Sequence, residues 1–181
     1  MYFLAYLSTY LWYFYYLNVV KWDIILIEWD KVVNQEHMLI GEYKHTLDEK
    51  KRISIPSKFR SVLGKNVVIT KGLDNCLFMY PLKDWNIIAS QLGERSFTQA
   101  DNRNFNRFLL ASAHEVSIDS VGRILIPENL CSFAKIKTKV VFAGIYNRVE
   151  IWDESAWDTF NEQVSKNADS IAEKLGQIGA I

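Results

Sequence analysis

The chain has 181 residues, about the size of one domain and enough to bury a hydrophobic core. Apolar residues make up 49% of it and charged residues 23%, which excludes a wholly disordered protein. The 21 Lys and Arg residues balance the 21 Asp and Glu residues, and this zero net charge taken alone argues against a strongly basic nucleic-acid-binding protein. The balance averages two unlike segments, because residues 1–37 hold 11 of the 25 aromatic residues but only 2 of the 21 basic ones.

Residues 1–37 form an N-terminal extension of unusual composition. The 19 residues from Tyr2 to Val20 carry no charge, and their length nearly suffices to span a bilayer. Their many tyrosines are untypical of a membrane span, since tyrosine prefers the membrane interfaces, and a regular globular sequence opens at Met38. We therefore interpret residues 1–37 as a mis-assigned translation start, with a membrane anchor as the alternative.

An internal repeat organises the rest of the chain. Residues 46–56 align with residues 117–127 at an offset of 71, and both segments carry the pattern Asp-x-x-x-Arg followed by a hydrophobic residue, any residue and Ile-Pro. Two further β-rich segments downstream also match, and each copy then enters a helical pattern with one tryptophan, Trp85 or Trp157. Chance does not readily produce this agreement, so we predict two structurally equivalent copies.

Each copy is predicted to form four short strands followed by a helix. Residues 53–55 alternate in polarity, and residues 67–69 and 76–79 are β-rich runs bounded by turn residues. After Pro81 the apolar spacing becomes helical. The predicted apolar face of this helix consists of Trp85, Ile88, Ala89 and Leu92.

Two further helices are predicted. Asp101 is the expected N-cap of a second helix, whose inward face consists of Phe105, Phe108 and Leu109. Asp153 is expected to start the last helix, which should bury Trp157, Phe160 and Val164 and fray beyond about Lys166. The predicted segments are the extension 1–37, the first motif 42–85, the connecting helices 86–112, the second motif 113–156, and the C-terminal helix and tail 157–181.

A copy of about 45 residues cannot bury enough surface to be stable alone. We therefore predict an α+β fold, in which the two β repeats interleave into one compact β core with helices packed on one side. Cys76 and Cys131 have no spacing typical of a zinc site, and we expect two buried thiols in a reducing compartment.

The Asp-x-x-x-Arg segment lies between two predicted strands. The Asp48 carboxylate can accept backbone N–H bonds and order the turn, and Arg52 begins the return strand close to it. An exposed ion pair of this kind is worth only about 0–1 kcal/mol, so it can aim the guanidinium and leave donors free for phosphate or guanine. Asp119 and Arg123 occupy the same positions in the second copy, with Gly122 as a further structural residue of that loop.

Positive charge gathers around the first of these segments. Eight basic residues against two acidic ones lie between Lys44 and Lys71, and a β-ribbon bearing this charge can enter a major groove. The alternative is a solvated hairpin with an ion pair at its neck. The second copy is less basic and is expected to bind more weakly or to serve mainly the fold. The candidate DNA-binding residues are Arg52, Lys50, Lys51, Arg123, Lys44, Lys58 and Arg60.

Residues 38–165 resemble the MraZ family of bacterial transcriptional regulators, which carry two tandem SpoVT-AbrB-type motifs. The resemblance rests on the two Asp-x-x-x-Arg motifs and on residues 55–60, 76–85, 107–113, 119–123 and 150–153. It implies a regulator of the division and cell-wall gene cluster, located in the cytoplasm and nucleoid, that binds direct repeats of double-stranded DNA in its own promoter. It also implies a ring-shaped homo-oligomer, with the DNA-contacting arginine of the family at Arg52 and its counterpart at Arg123.

One position departs from the family pattern. The family commonly has Gly before the motif arginine, as at Gly122, but the first copy has Lys51. If this position requires a positive φ, a lysine is strained there by about 1 kcal/mol. We therefore expect the first loop to be shaped differently from the second.

Other classes of function are less well supported. The three histidines, His37, His45 and His114, form no metal or nucleophile arrangement, and no known catalytic motif is present, so we expect no enzyme, metal, cofactor or small-molecule substrate. Another AbrB-like regulator or antitoxin remains an alternative. A membrane-tethered interaction protein is a further alternative, which depends entirely on residues 1–37.

Overall fold

The computed structural model describes residues 38–179, and the predictions for residues 1–37 lie outside that range. The first copy contains β1 (Leu39–Thr46), β2 (Arg52–Ser54), α1 (Ser57–Leu63), β3 (Asn66–Lys71), β4 (Leu77–Pro81) and α2 (Leu82–Gly93). After α3 (Ala100–Leu109), the second copy contains β5 (His114–Ser117), β6 (Arg123–Leu125), α4 (Glu128–Phe133), β7 (Lys139–Tyr146), β8 (Arg148–Asp153) and α5 (Glu154–Gln177).

The strands of the two copies interleave, as predicted. Six strands form an antiparallel sheet in the order β1-β7-β8-β4-β3-β5. Each edge strand pairs with a strand of the other copy, because β1 pairs with β7 and β5 pairs with β3. The remaining two strands, β2 and β6, form a separate antiparallel ribbon between the copies. The expectation that β2 returns beside β1 in a hairpin of the same copy was therefore wrong, because β1 takes β7 as its partner.

The two faces of the sheet bury different parts of the molecule. Alternate residues such as Val67 and Ile69 face a main core, which the β2–β6 ribbon closes with Ile53 and Ile124. On the opposite face, α2 and α3 cover a cluster that includes Val68. The aromatic residues at the start of α5 cover a third cluster on that face, around Trp152. The predicted α+β class is therefore confirmed, with the three long helices on one side of the β core.

Two short helices, α1 and α4, were not predicted. Each follows an Ile-Pro pair and buries a few apolar side chains in the main core, including Phe59 and Leu63 from α1 and Leu130 from α4. With 7 and 6 residues, they are too short to show a helical repeat in the sequence. The predicted apolar face of α2 is correct, since Trp85 and Leu92 are buried.

The predictions for α3 were partly wrong. The helix begins at Ala100, so Asp101 lies in its first turn instead of capping it. Phe105 is 42% exposed, because the face that packs inward is carried by Leu109 and the half-buried Phe108.

The start of α5 was predicted correctly, but its end was not. Asp153 caps the helix by accepting a hydrogen bond from the Ser155 amide at 3.1 Å. The helix does not fray at Lys166 and continues to Gln177, and every residue from 161 to 177 is exposed, Val164 included. No helix within residues 38–179 is both long and apolar enough to cross a membrane. Cys76 and Cys131 are free and buried, and burial raises the pKa of both thiols.

Candidate nucleic-acid interface

The two Asp-x-x-x-Arg segments form loops of the same geometry. In the first loop, residues 48–52, the Asp48 amide donates to the Arg52 carbonyl at 2.9 Å and the Lys51 amide donates to the Asp48 carbonyl at 3.0 Å. In the second loop, residues 119–123, the equivalent distances are 2.8 and 2.9 Å. The backbone of each loop is therefore closed by the same two hydrogen bonds.

The expected difference in shape between the loops was wrong. Lys51 has a φ of +59° and Gly122 a φ of +83°, so the residue before each arginine is left-handed in both loops. A side chain in this region costs about 1 kcal/mol. The hydrogen bonds that close the turn are the same in both loops, so they form with or without a Cβ at this position.

Each loop aspartate binds the backbone and the arginine side chain together. Asp48 Oδ1 accepts from the amides of Lys50 and Arg52 at 2.9 and 2.8 Å. Asp48 Oδ2 accepts from Nε and Nη2 of Arg52, both at 2.8 Å. These bonds hold the pKa of Asp48 below its ordinary value, with the bond from the Arg52 backbone contributing most. The carboxylate therefore stays ionised at neutral pH and fixes the guanidinium.

The second loop repeats this arrangement. Asp119 Oδ1 accepts from the amides of Val121 and Arg123, and Oδ2 accepts from Nε and Nη2 of Arg123 at 2.9 Å each. Within residues 38–179, neither Arg52 nor Arg123 has a hydrogen-bond partner at Nη1. The Nη1–Nη2 edge of each guanidinium therefore points away from its aspartate and is available to a ligand, and about a third of each side chain is exposed.

The β2–β6 ribbon presents both arginines on one face. Ile53 pairs with Ile124, and both point into the core with 1% exposure. The neighbouring positions therefore point outward, where Arg52 lies opposite Leu125 and Arg123 lies opposite Ser54. The two arginines lie on neighbouring strands and are offset by two residues, so their Cα atoms are about 8 Å apart.

The other predicted cations are placed differently. Lys50 is exposed at the tip of the first loop, and Lys58 is exposed on α1. Lys51 Nζ lies 3.9 Å from Glu128 Oε2. Lys44 is not gathered with the loops, because its Nζ lies 3.2 Å from Glu154 and 3.6 Å from Asp158 at the start of α5.

Lys44 and Arg60 are held by contacts within the fold. The hydrogen bond to Glu154 raises the pKa of Lys44, on the face of the sheet that packs against the long helices. Arg60 is half-buried, and its Nε donates to the Ile55 carbonyl at 2.8 Å. The structure therefore brings together Arg52, Arg123, Lys50 and Lys51, while Lys44 is bound to α5 and Arg60 packs beneath Gly122 of the second loop.

Sequence reasoning missed two exposed apolar residues at this surface. Val121 is 57% exposed and takes the position of Lys50 in the second loop, and Leu125 is 54% exposed directly across the ribbon from Arg52. The signal for Leu125 was present in the alternation of the strand, since an inward Ile124 requires an outward neighbour. Among residues 38–179, no three His, Cys, Asp or Glu side chains are grouped in a way that could hold a metal ion.

Comparison with known proteins agrees with the repeat. A family model described as MraZ protein and antitoxin-like matches the chain twice, at residues 38–108 and 109–177. A protein of Acetivibrio thermocellus named transcriptional regulator MraZ is 46% identical over 142 residues, which cover 78% of this chain and 99% of the relative. Relatives of the same name from a Thermoanaerobacter species and from Clostridium tetani are 48% and 45% identical over 141 and 142 residues, again 78% of this chain and 99% of each relative. The chain belongs to the MraZ family.

Proposed function

We propose that this protein is a transcriptional regulator that binds double-stranded DNA through its two arginine loops. The observation that carries the proposal is that each loop aspartate holds one edge of an arginine and leaves the other edge free. A planar pair of donors of this kind matches the O6 and N7 acceptors of guanine. The name that the relatives carry, transcriptional regulator, supports the same function.

The ribbon is suited to reading a major groove. A two-stranded β-ribbon fits that groove, and its outward face carries the two arginines about 8 Å apart. Lys50, exposed beside the first loop, is placed to meet a phosphate. Leu125, opposite Arg52, offers the kind of apolar surface that contacts a thymine methyl group.

The resemblance to the MraZ family supports a proposal about the targets as well. We propose that the protein acts in the cytoplasm and nucleoid on direct repeats in its own promoter, and through them on division and cell-wall genes. Footprinting of that promoter with purified protein tests this part. Protection of regularly spaced repeats supports it, and a footprint absent from the promoter while other DNA is bound specifically contradicts it.

We further propose that copies of the chain associate into a ring. Support comes from α5, where Val164, Ile171 and Leu175 form an apolar stripe that residues 38–179 leave exposed. An isolated helix is marginal in water, so a second copy packing on the stripe stabilises it. Light scattering of Ile171→Glu should show a smaller particle than the wild type. The same mass for both proteins contradicts this use of α5.

The central experiment is Arg52→Ala in a mobility-shift assay at fixed salt. Specific promoter binding should be lost while the circular dichroism spectrum and melting temperature stay near those of the wild type, since an exposed ion pair contributes about 0–1 kcal/mol. Arg95→Ala, which removes the same charge from the connection between α2 and α3, is the matched control and should bind normally. Retained binding by Arg52→Ala rejects the site.

A further inference from the structure

Each loop packs against the short helix of the other copy. The Gly122 carbonyl of the second loop accepts a hydrogen bond from the Ile55 amide at 2.9 Å, just before α1. The Lys51 carbonyl of the first loop accepts from the Ile126 amide at 3.0 Å, just before α4. The second loop therefore rests on the first copy, and the first loop rests on the second.

The side chains beneath the two loops differ. Arg60 and Cys131 are equivalent at the repeat offset of 71. Arg60 Nε donates to the Ile55 carbonyl at 2.8 Å, and Cys131 Sγ lies 3.8 Å from the equivalent Ile126 carbonyl. A Cβ atom added to Gly122 would overlap the guanidinium carbon and two nitrogens of Arg60.

The loop residue and the side chain beneath it differ together between the two contacts. Where the underlying side chain is the large Arg60, the loop above has the side-chain-free Gly122. Where it is the small, buried Cys131, the loop above has Lys51 with its full side chain. A large side chain beneath the loop therefore goes with glycine in the loop, and a small side chain beneath the loop goes with lysine in the loop.

We propose that Arg60 is a positioning residue for the second loop and not a DNA contact. The inference rests on the proposed function, in which Arg123 reads DNA. Gly122 has more conformational freedom than a residue with a Cβ, and the Arg60 guanidinium packs against it in the space that a Cβ would occupy. Arg60 thereby orders the backbone immediately before Arg123, whereas Lys51 restricts the first loop by its own Cβ.

Salt dependence of DNA binding separates positioning from direct contact. Arg60→Cys, which installs the counterpart found in the second copy, should weaken specific binding about threefold to tenfold, as expected for coupled neighbours. The slope of log affinity against log salt should not change, because no phosphate contact is lost. In an Arg123→Ala background, Arg60→Cys should have no further effect. A slope reduced by about one shows that Arg60 contacts a phosphate and overturns the proposal.

A stability cycle tests the pairing without DNA, so it stands even if the proposed function fails. Gly122→Lys should lower the melting temperature, because the new Cβ displaces the Arg60 guanidinium and breaks its hydrogen bond to the Ile55 carbonyl. Adding Arg60→Cys to Gly122→Lys rebuilds the pair found at Lys51 and Cys131, and should recover at least half of the loss. If Gly122→Lys alone does not fold, a folded double variant supports the pairing equally well. An equal loss with and without Arg60→Cys overturns it.

Discussion

The carboxylates of Asp48 and Asp119 hold the loop backbone and the arginine side chain at the same time. One oxygen accepts two amide donors, and the other accepts two guanidinium donors of the same arginine. The backbone bonds lower the pKa of each carboxyl and so keep it ionised. Because the same carboxylate binds the backbone and the guanidinium, the direction of each arginine depends on the shape of its loop. At the scale of the residue, specificity should therefore depend on a negatively charged group beside the DNA.

Asp48→Asn should separate specific from non-specific binding. The amide keeps the size of the side chain, but its single oxygen can accept either from the two backbone amides or from the guanidinium, and its charge is gone. Affinity for the operator should therefore fall about tenfold, as for a lost charge-assisted contact. Affinity for unrelated duplex should hold or rise, since a negative charge is removed near phosphates. Fluorescence anisotropy with both duplexes measures this. Glu49→Gln is the control: it removes a neighbouring negative charge that holds no arginine, so it should strengthen binding to both duplexes. If Asp48→Asn and Glu49→Gln change the two affinities in the same way, Asp48 does not orient Arg52.

His45 should make stability depend on pH near neutrality. Its ring lies 5.6 Å from that of Phe142, and burial, with the positive charge of Arg60, lowers its pKa below the ordinary value. The unfolded chain then binds a proton more readily than the folded one, so stability decreases as pH falls through about 6.5. Melting temperatures from pH 7.5 to 5.5 should fall for the wild type and fall less for His45→Gln. Parallel curves for both proteins contradict this assignment.

At the scale of the element, the β2–β6 ribbon gives its two arginines unlike neighbours. Arg52 lies across from Leu125, and Arg123 lies across from Ser54. Directly opposed residues of an antiparallel pair have Cβ atoms about 5 Å apart, so each arginine and its neighbour meet adjacent parts of the same ligand. The ribbon therefore presents an arginine with an apolar side chain at one end and an arginine with a hydroxyl at the other.

Replacing operator thymines by uracil tests the apolar end of the ribbon. Uracil lacks only the methyl group, so wild-type affinity should fall about fourfold at one thymine, the value of one buried methylene-sized group. Leu125→Ser installs the kind of residue that Ser54 provides at the other end of the ribbon. This variant should bind the thymine and uracil duplexes equally. Ser54→Leu is the matched control, and it should keep the wild-type response at that thymine. Undiminished sensitivity in Leu125→Ser shows that another residue contacts the methyl group.

At the scale of the whole molecule, neither copy holds a complete sheet. The edge strand β1 has its partner β7 in the second copy, and β5 of the second copy pairs with β3 of the first. The main core likewise takes buried side chains from both copies, including Phe59 from α1 and Leu130 from α4. Folding therefore depends on contacts between segments far apart in the chain.

A polypeptide of residues 38–108 should not form a folded monomer. It leaves β1 and one edge of β3 without partners, and its half of the core stays open to water. It should be unfolded, or it should be folded only as a dimer in which a second copy supplies the missing strands. Thermal melts with light scattering distinguish these states from a cooperatively melting monomer, which would contradict the interleaving.

Much of the fold could be predicted because its signals are local. The repeated Asp-x-x-x-Arg pattern located both loops, the alternation of residues 53–55 predicted the strand β2, and Asp153 marked the start of α5. The short helices α1 and α4 were not predicted, because one or two turns are too short to show a helical periodicity in the sequence. The end of α5 was not predicted, because the second half of this helix is exposed and lacks the buried face on which the prediction relied.

The sequence by itself determined the two copies, their strands and the pairing of each loop aspartate with its arginine, because those partners lie within a few residues of one another. Only the tertiary structure decided which copy supplies the neighbour of each loop, that Lys44 is bound to α5, and that Arg60 lies beneath Gly122. These contacts join residues about 60 to 110 positions apart in the chain. Such residues become neighbours only when the sheet folds, so no local sequence pattern reveals the contact.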